Sequence, residues 1–94
     1  MPRPKEKVVA TLKSKGFSEE PGDHIILVYY TTDGRKTNAR TFTSHSPKMR
    51  DISDALLSQM ARQCKLTRSE FLELADCPMR RERLEQVLRE KGVI

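Results

Sequence analysis

From His24 to Thr43 the chain carries the pattern of a β-hairpin, which commits it to a fold with an antiparallel sheet. His24 to Thr32 is rich in β-branched and aromatic residues, the types that suit a pleated, half-buried surface. Asp33-Gly34 follows, the strongest short signal for a tight reversal, and Lys36 to Thr43 then returns. Successive strand residues face opposite sides, so Ile25, Leu27 and Tyr29 point one way, and Ile26, Val28 and Tyr30 point the other with His24. Loop length decides which residues of the returning strand join each set. A two-residue loop puts His24 on the face of Thr37, Ala39, Thr41 and Thr43. A three-residue loop, with Gly34 in the left-handed bulge position, puts it with Lys36, Asn38, Arg40 and Phe42. The second is the better grouping, because it sends small and apolar side chains toward the helices and basic ones away.

Helical patterns flank this hairpin. Val8, Val9 and Leu12 share one face of a short helix over residues 4–15, ringed by Lys5, Lys7, Lys13 and Lys15 and stopped by Gly16. Phe17 to Glu20 reads as a brief edge strand before the Pro21-Gly22 turn. After the break at Ser44-His45-Ser46-Pro47, the residues Ile52, Ala55, Leu56, Gln59, Met60 and Gln63 recur at helical spacing and predict a helix from about Arg50 to Lys65. Thr67-Arg68-Ser69-Glu70 is a capping box that opens another helix, with Phe71, Leu72 and Leu74 on its apolar side and Cys77-Pro78 at its end. A last helix, from about Met79 to Lys91, turns Leu84, Val87 and Leu88 inward and stops at Gly92.

The expected fold class is therefore α+β. An α-β-β-β-α core over residues 4–66, with a three-stranded antiparallel sheet, is followed by two C-terminal helices over residues 67–94, all in one domain of 94 residues. The strand from His24 is apolar on both sides, yet the helices of the core cover only one. Ile26, Val28 and Tyr30 would stand in water as a patch, so the C-terminal helices are expected to dock there, within the chain or from a twin in a homodimer.

Composition narrows the function. The longest strongly apolar run, Ile25 to Tyr30, has six residues, far below a membrane span, and the N-terminus lacks the apolar stretch of a signal peptide. The cytoplasm is the expected location. Cys64 and Cys77 stand thirteen apart with no histidine near them, so they read as buried or half-buried thiols rather than metal ligands. There is no glycine-rich phosphate loop, nucleophile elbow or metal cluster, and no cofactor is expected. The net charge of +5 is unevenly spread. Residues 17–34 hold four acids and no base, whereas residues 35–50 hold five bases (Arg35, Lys36, Arg40, Lys48, Arg50) and no acid. A concentration of positive charge in a small basic domain points to an anionic partner, nucleic acid first.

Two histidines remain, His24 and His45, both at strand ends. In the antiparallel pairing His24 opposes Thr43 or Ser44, which is expected to bring His45 into the same neighbourhood. Imidazoles beside a basic patch suit general acid–base work on a phosphodiester, because they titrate near working pH.

The order of these features resembles the HicA toxins of bacterial toxin–antitoxin modules. It rests on Gly22-Asp23-His24 at a strand start, the preceding Lys15-Gly16-Phe17, the hairpin at Asp33-Gly34-Arg35-Lys36, and Ser44-His45 ahead of a helix, and it covers roughly residues 5–66. The resemblance implies a fold like that of double-stranded-RNA-binding domains, metal-independent mRNA cleavage with His24 as the catalytic residue, and a HicB-like antitoxin as partner. Gly22 matches the family's motif glycine. Asp23 stands where the family has serine; it would orient His24, and it places negative charge where a phosphate must approach. On this reading Lys36, Arg40, His45 and Lys48 hold RNA. The alternative is a non-catalytic nucleic-acid-binding or protein-interaction module on the same scaffold.

Overall fold

The computed structural model describes residues 2–76 and 78–94, so the expectation for Cys77 falls outside the described residues. The element order is β1 (Arg3–Pro4), α1 (Lys5–Ser14), β2 (Phe17–Glu20), β3 (Ile25–Tyr30), β4 (Lys36–Thr43), β5 (Asp51–Ile52), α2 (Asp54–Gln63), α3 (Arg68–Ala75) and α4 (Arg81–Glu90). Strands β2, β3 and β4 form an antiparallel sheet in that order, so the chain is α+β with an α-β-β-β-α core and two further helices.

The hairpin loop has three residues. Thr31 N–H donates to the Arg35 carbonyl at 2.9 Å, Gly34 N–H donates to the Thr31 carbonyl at 2.9 Å, and Gly34 lies at φ +87°. Only a residue tolerant of the left-handed region completes this turn without strain. Ile26 pairs with Phe42 and Val28 with Arg40, and β4 alternates strictly: Lys36, Asn38, Arg40 and Phe42 are exposed, Thr37, Ala39, Thr41 and Thr43 buried. A bulge sits opposite Tyr29. Thr37 fills it, its hydroxyl donating to the Tyr29 carbonyl at 2.8 Å and accepting from Ala39 N–H at 3.1 Å. Because the slip spans an even number of residues, the faces keep their parity.

All four helices belong to one core on the inner face of the sheet. Val8, Leu12, Leu27, Tyr29, Leu57, Met60, Phe71, Leu74, Leu84 and Leu88 join in a single buried cluster. The C-terminal helices therefore do not dock on the face of Ile26, Val28 and Tyr30, as the apolar pattern suggested. Their capacity is used up inside, where Phe71, Leu74, Leu84 and Leu88 are fully buried. On the outer face the cross-strand neighbours shield the apolar row instead. Val28 lies between Ser18 and Arg40, and Ile26 between Glu20 and Phe42. Val28 is fully buried by this packing, in which long charged side chains lay their stems over apolar surface.

Two further expectations shift. Arg3–Pro4 pairs with Asp51–Ile52 as a two-stranded ribbon, and Ser53 caps α2, whose first residue is Asp54 rather than Arg50. The stripe read along α2 also divides. Ile52 and Met60 are buried with Leu57, Ala61 and Cys64, whereas Ala55, Leu56 and Gln59 are exposed. Burial pushes the Cys64 thiol up to about 12, which leaves it an inert core group.

At the turn end of the hairpin the core is polar. The Tyr29 hydroxyl donates to Glu85 at 2.6 Å, and the same carboxylate oxygen accepts from Thr32 N–H at 2.7 Å. Arg81 donates to the Tyr29 hydroxyl at 3.2 Å and to the Tyr30 carbonyl at 2.9 Å. Lys15, also buried, donates to the Met79 carbonyl at 2.6 Å. These bonds clamp α4 onto the hairpin. Gly16 lies within the clamp at φ +107°, where a Cβ would come within 2.8 Å of both the Tyr29 ring and the Arg81 side chain.

Candidate nucleic-acid interface

The outer face of the sheet carries the exposed functional groups. His24 enters it just ahead of β3, after the Pro21-Gly22-Asp23 turn. Gly22 lets that turn run close over the sheet, since a Cβ there would meet the end of the Ile26 side chain at 2.7 Å. The His24 ring packs beside Phe42, with centroids 5.3 Å apart and ring planes at 34°. Phe42 is 45% exposed, so the pair offers an aromatic surface to solvent. Arg40 stands two residues along β4 on the same face, followed by Asn38 and Lys36.

The cations of residues 35–50 are not equivalent. Lys36 lies 2.9 Å from Glu20 and holds that carboxyl below the usual range, and Arg35 lies 3.2 Å from Asp33. Both pairs lie at the surface and are weak. Arg40, Lys48 and Arg50 form no ion pair with a described residue. Arg40 makes no close ion pair but acts on Glu20 through its charge from the same face, and Lys48 lies in the exposed turn of the loop that follows β4.

The expected meeting of the two histidines does not occur. His24 borders a hollow of about 250 Å³ with Phe42, Thr43 and Ser44 of the β4 end, Met49, and Leu56, Gln59, Met60 and Gln63 of α2. His45 instead borders a broader hollow with Lys5, Val9, Ile25, Pro47 and Arg50, on the side of α1. The loop after β4 turns toward α1 because the Lys5 ammonium donates to the carbonyls of Ser44 and Ser46, both at 2.9 Å, and this carries His45 with it. Asp23 is exposed and bonds to no described residue, so it does not orient the imidazole.

The structure thus puts His24, Arg40 and Lys36 on one face, with Lys36 opposite Tyr30 at the turn end and away from His24, keeps Lys48 on the neighbouring loop, and sets His45 apart. It adds Phe42, Leu56 and Gln59, which sequence reasoning did not single out as site residues. Phe42 and Leu56 are the large apolar side chains exposed among the described residues, and they face the same hollow. The outward parity of Phe42 in β4 and the place of Leu56 in the α2 stripe were readable; their exposure without a partner surface was not. Among the described residues no group of acids, histidines and cysteines is placed to hold a metal, and no helix is long and apolar enough to cross a membrane. No protein-family model, curated protein or solved structure matches the chain.

Proposed function

We propose that this chain binds single-stranded RNA across the outer face of its sheet and cleaves it in the manner of HicA toxins, with His24 as the general acid–base group. The observation that carries the reading is the exposed His24–Phe42 pair on one face with Arg40. Aromatic rings on an open sheet accept stacked bases, and neighbouring cations track the phosphates. The cleavage reading requires no metal: the imidazole takes a proton from the attacking 2′-hydroxyl or delivers one to the leaving oxygen. Lys36 and Lys48 would extend the phosphate track, and Gly22-Asp23 would set the strand entry that presents His24. A HicB-like antitoxin fits as the partner that covers this face, in the cytoplasm.

A second reading, RNA binding without cleavage, is favoured by two observations. His45 lies in a different hollow from His24, so no second imidazole serves the same phosphate. Asp23 adds negative charge beside His24 without bonding to it. Incubating RNA with the purified protein and with His24→Ala separates the two. Cleavage by the wild type and none by the variant supports the first reading. Equal binding with no cleavage by either supports the second, and cleavage by both at one rate removes His24 from the mechanism.

A further inference from the structure

The hollow beside Phe42 is built for something more particular than a phosphate track. Its walls are Met49, Leu56 and Met60, with the His24–Phe42 pair at its mouth. Two amides also line it. Gln63 is held by the Thr41 hydroxyl at 2.6 Å through its oxygen, which leaves its NH₂ group available, and Gln59 is exposed and bonds to no described residue. These side chains come from one stripe of α2, Leu56, Gln59, Met60 and Gln63, at the spacing that puts residues on one side of a helix. The helix buries Leu57, Met60, Ala61 and Cys64 in the core, and of the second stripe Leu56 and Gln59 stay exposed and Gln63 half-buried beside the hollow.

We propose that the hollow receives one unpaired nucleobase of the bound RNA strand. The inference rests on the RNA-binding reading and assigns the part of the ligand that this place takes. The occupant follows from the chemistry of the lining. At about 250 Å³ the hollow falls below the roughly 300–1,000 Å³ that drug-sized ligands fill, which suits a single planar ring system. Met49, Leu56 and the edge of the largely buried Met60 supply apolar contact, polarisable at the thioethers, and Phe42 supplies a stacking surface. Gln59 and the Gln63 amide provide donors and an acceptor for a base edge, the pairing that amide side chains make with nucleobases. An aliphatic anchor from a peptide would fill the apolar walls but leave the amides without partners, at a cost in affinity. Arg40, on the same face as Phe42, lies where the backbone on either side of the inserted base can be neutralised.

The test compares a short labelled single-stranded RNA with a strand of the same length whose bases have been removed, by fluorescence anisotropy on the full chain. The base-bearing strand should bind about tenfold tighter or more. Gln59→Trp, a substitution at an exposed helical position, should plug the hollow and bring the two affinities together while leaving the salt dependence of binding unchanged. Circular dichroism establishes that the variant is folded. Equal affinity of the wild type for both strands overturns the base site but leaves phosphate binding intact. A preference that survives in Gln59→Trp also overturns it. Failure of both strands to bind rejects the RNA reading itself. If the substitution alters only self-association, seen by sedimentation, the hollow is a contact between proteins and the proposal is wrong.

Discussion

The two ends of the β3–β4 hairpin are built on opposite rules. At the turn end, polar groups are buried and every one of the clamp's side chains is partnered: Tyr29 to Glu85, Glu85 to Thr32 N–H, Arg81 to Tyr29 and to the Tyr30 carbonyl. At the open end His24, Asp23 and Arg40 are exposed and bond to no described residue, and an aromatic ring faces water. A buried polar network is stable only when its members are satisfied. A surface left with aromatic and cationic groups free is poised for a ligand. The contrast puts the satisfied polar clamp at one end and the surface of the proposed recognition at the other, and substitutions should separate them.

The largest effect is expected at Gly16. Gly16→Ala forces a side chain into a left-handed backbone and against the Tyr29 ring and Arg81. It should cost about 2–4 kcal/mol in urea unfolding, from backbone strain together with overpacking. A loss under about 1 kcal/mol would mean that the clamp yields easily.

Tyr29→Phe comes next. It removes the hydroxyl between Glu85 and Arg81 and should cost about 1.5–3 kcal/mol, the range for hydrogen bonds to charged groups. Burial, reinforced by the bond to Glu85, pushes the Tyr29 phenol up to about 12. The folded value thus exceeds the unfolded value of about 10. The stabilisation is complete below the unfolded value and is lost as pH rises from about 10 toward the folded value. Unfolding across that window should show an alkaline loss in the wild type that Tyr29→Phe lacks.

At the open end the signs reverse. Phe42→Ala should leave stability within about 1 kcal/mol, because its ring is half in water. It should weaken binding of single-stranded RNA by about 1–3 kcal/mol in a filter or anisotropy assay. An effect on folding larger than that on binding would place Phe42 in the core's service.

Much of the fold was legible in the sequence. Asp33-Gly34 marked the reversal, the grouping of Thr37, Ala39, Thr41 and Thr43 favoured the three-residue loop and the parity of His24 that the structure has, and Thr67-Arg68-Ser69-Glu70 marked the start of α3, whose capping box is present. What stayed hidden depended on long-range contacts. Two-residue strands such as Arg3–Pro4 and Asp51–Ile52 have no period to detect. In α2 two stripes overlap, Leu57-Met60-Ala61-Cys64 and Leu56-Gln59-Met60-Gln63, and periodicity alone does not tell which faces the core. The proximity of the histidines was inferred from strand pairing, but the Lys5 bonds to the following loop redirect His45. The clamp joins Tyr29 to Glu85 across 56 positions, beyond any local pattern.

The smallest effect serves as a control away from both ends. Lys65 closes α2 in the left-handed region at φ +64°, with Leu66 N–H donating to the Ala61 carbonyl at 2.9 Å. Glycine is the usual residue at this helix stop. Lys65→Gly should therefore stabilise the fold by about 1 kcal/mol and leave RNA affinity nearly unchanged. A loss of stability would indicate that the lysine side chain contributes contacts outweighing its strain.

The most direct test of the division is an NMR titration of the full chain with single-stranded RNA, following backbone amides together with the His24 and Phe42 rings. The account predicts saturable shifts at His24, Arg40, Phe42 and Gln59, which weaken as salt rises, and little change at Tyr29, Arg81 and Glu85. Shifts centred on the Tyr29–Glu85 clamp, or on His45 and the α1 side with the open face unmoved, would contradict it.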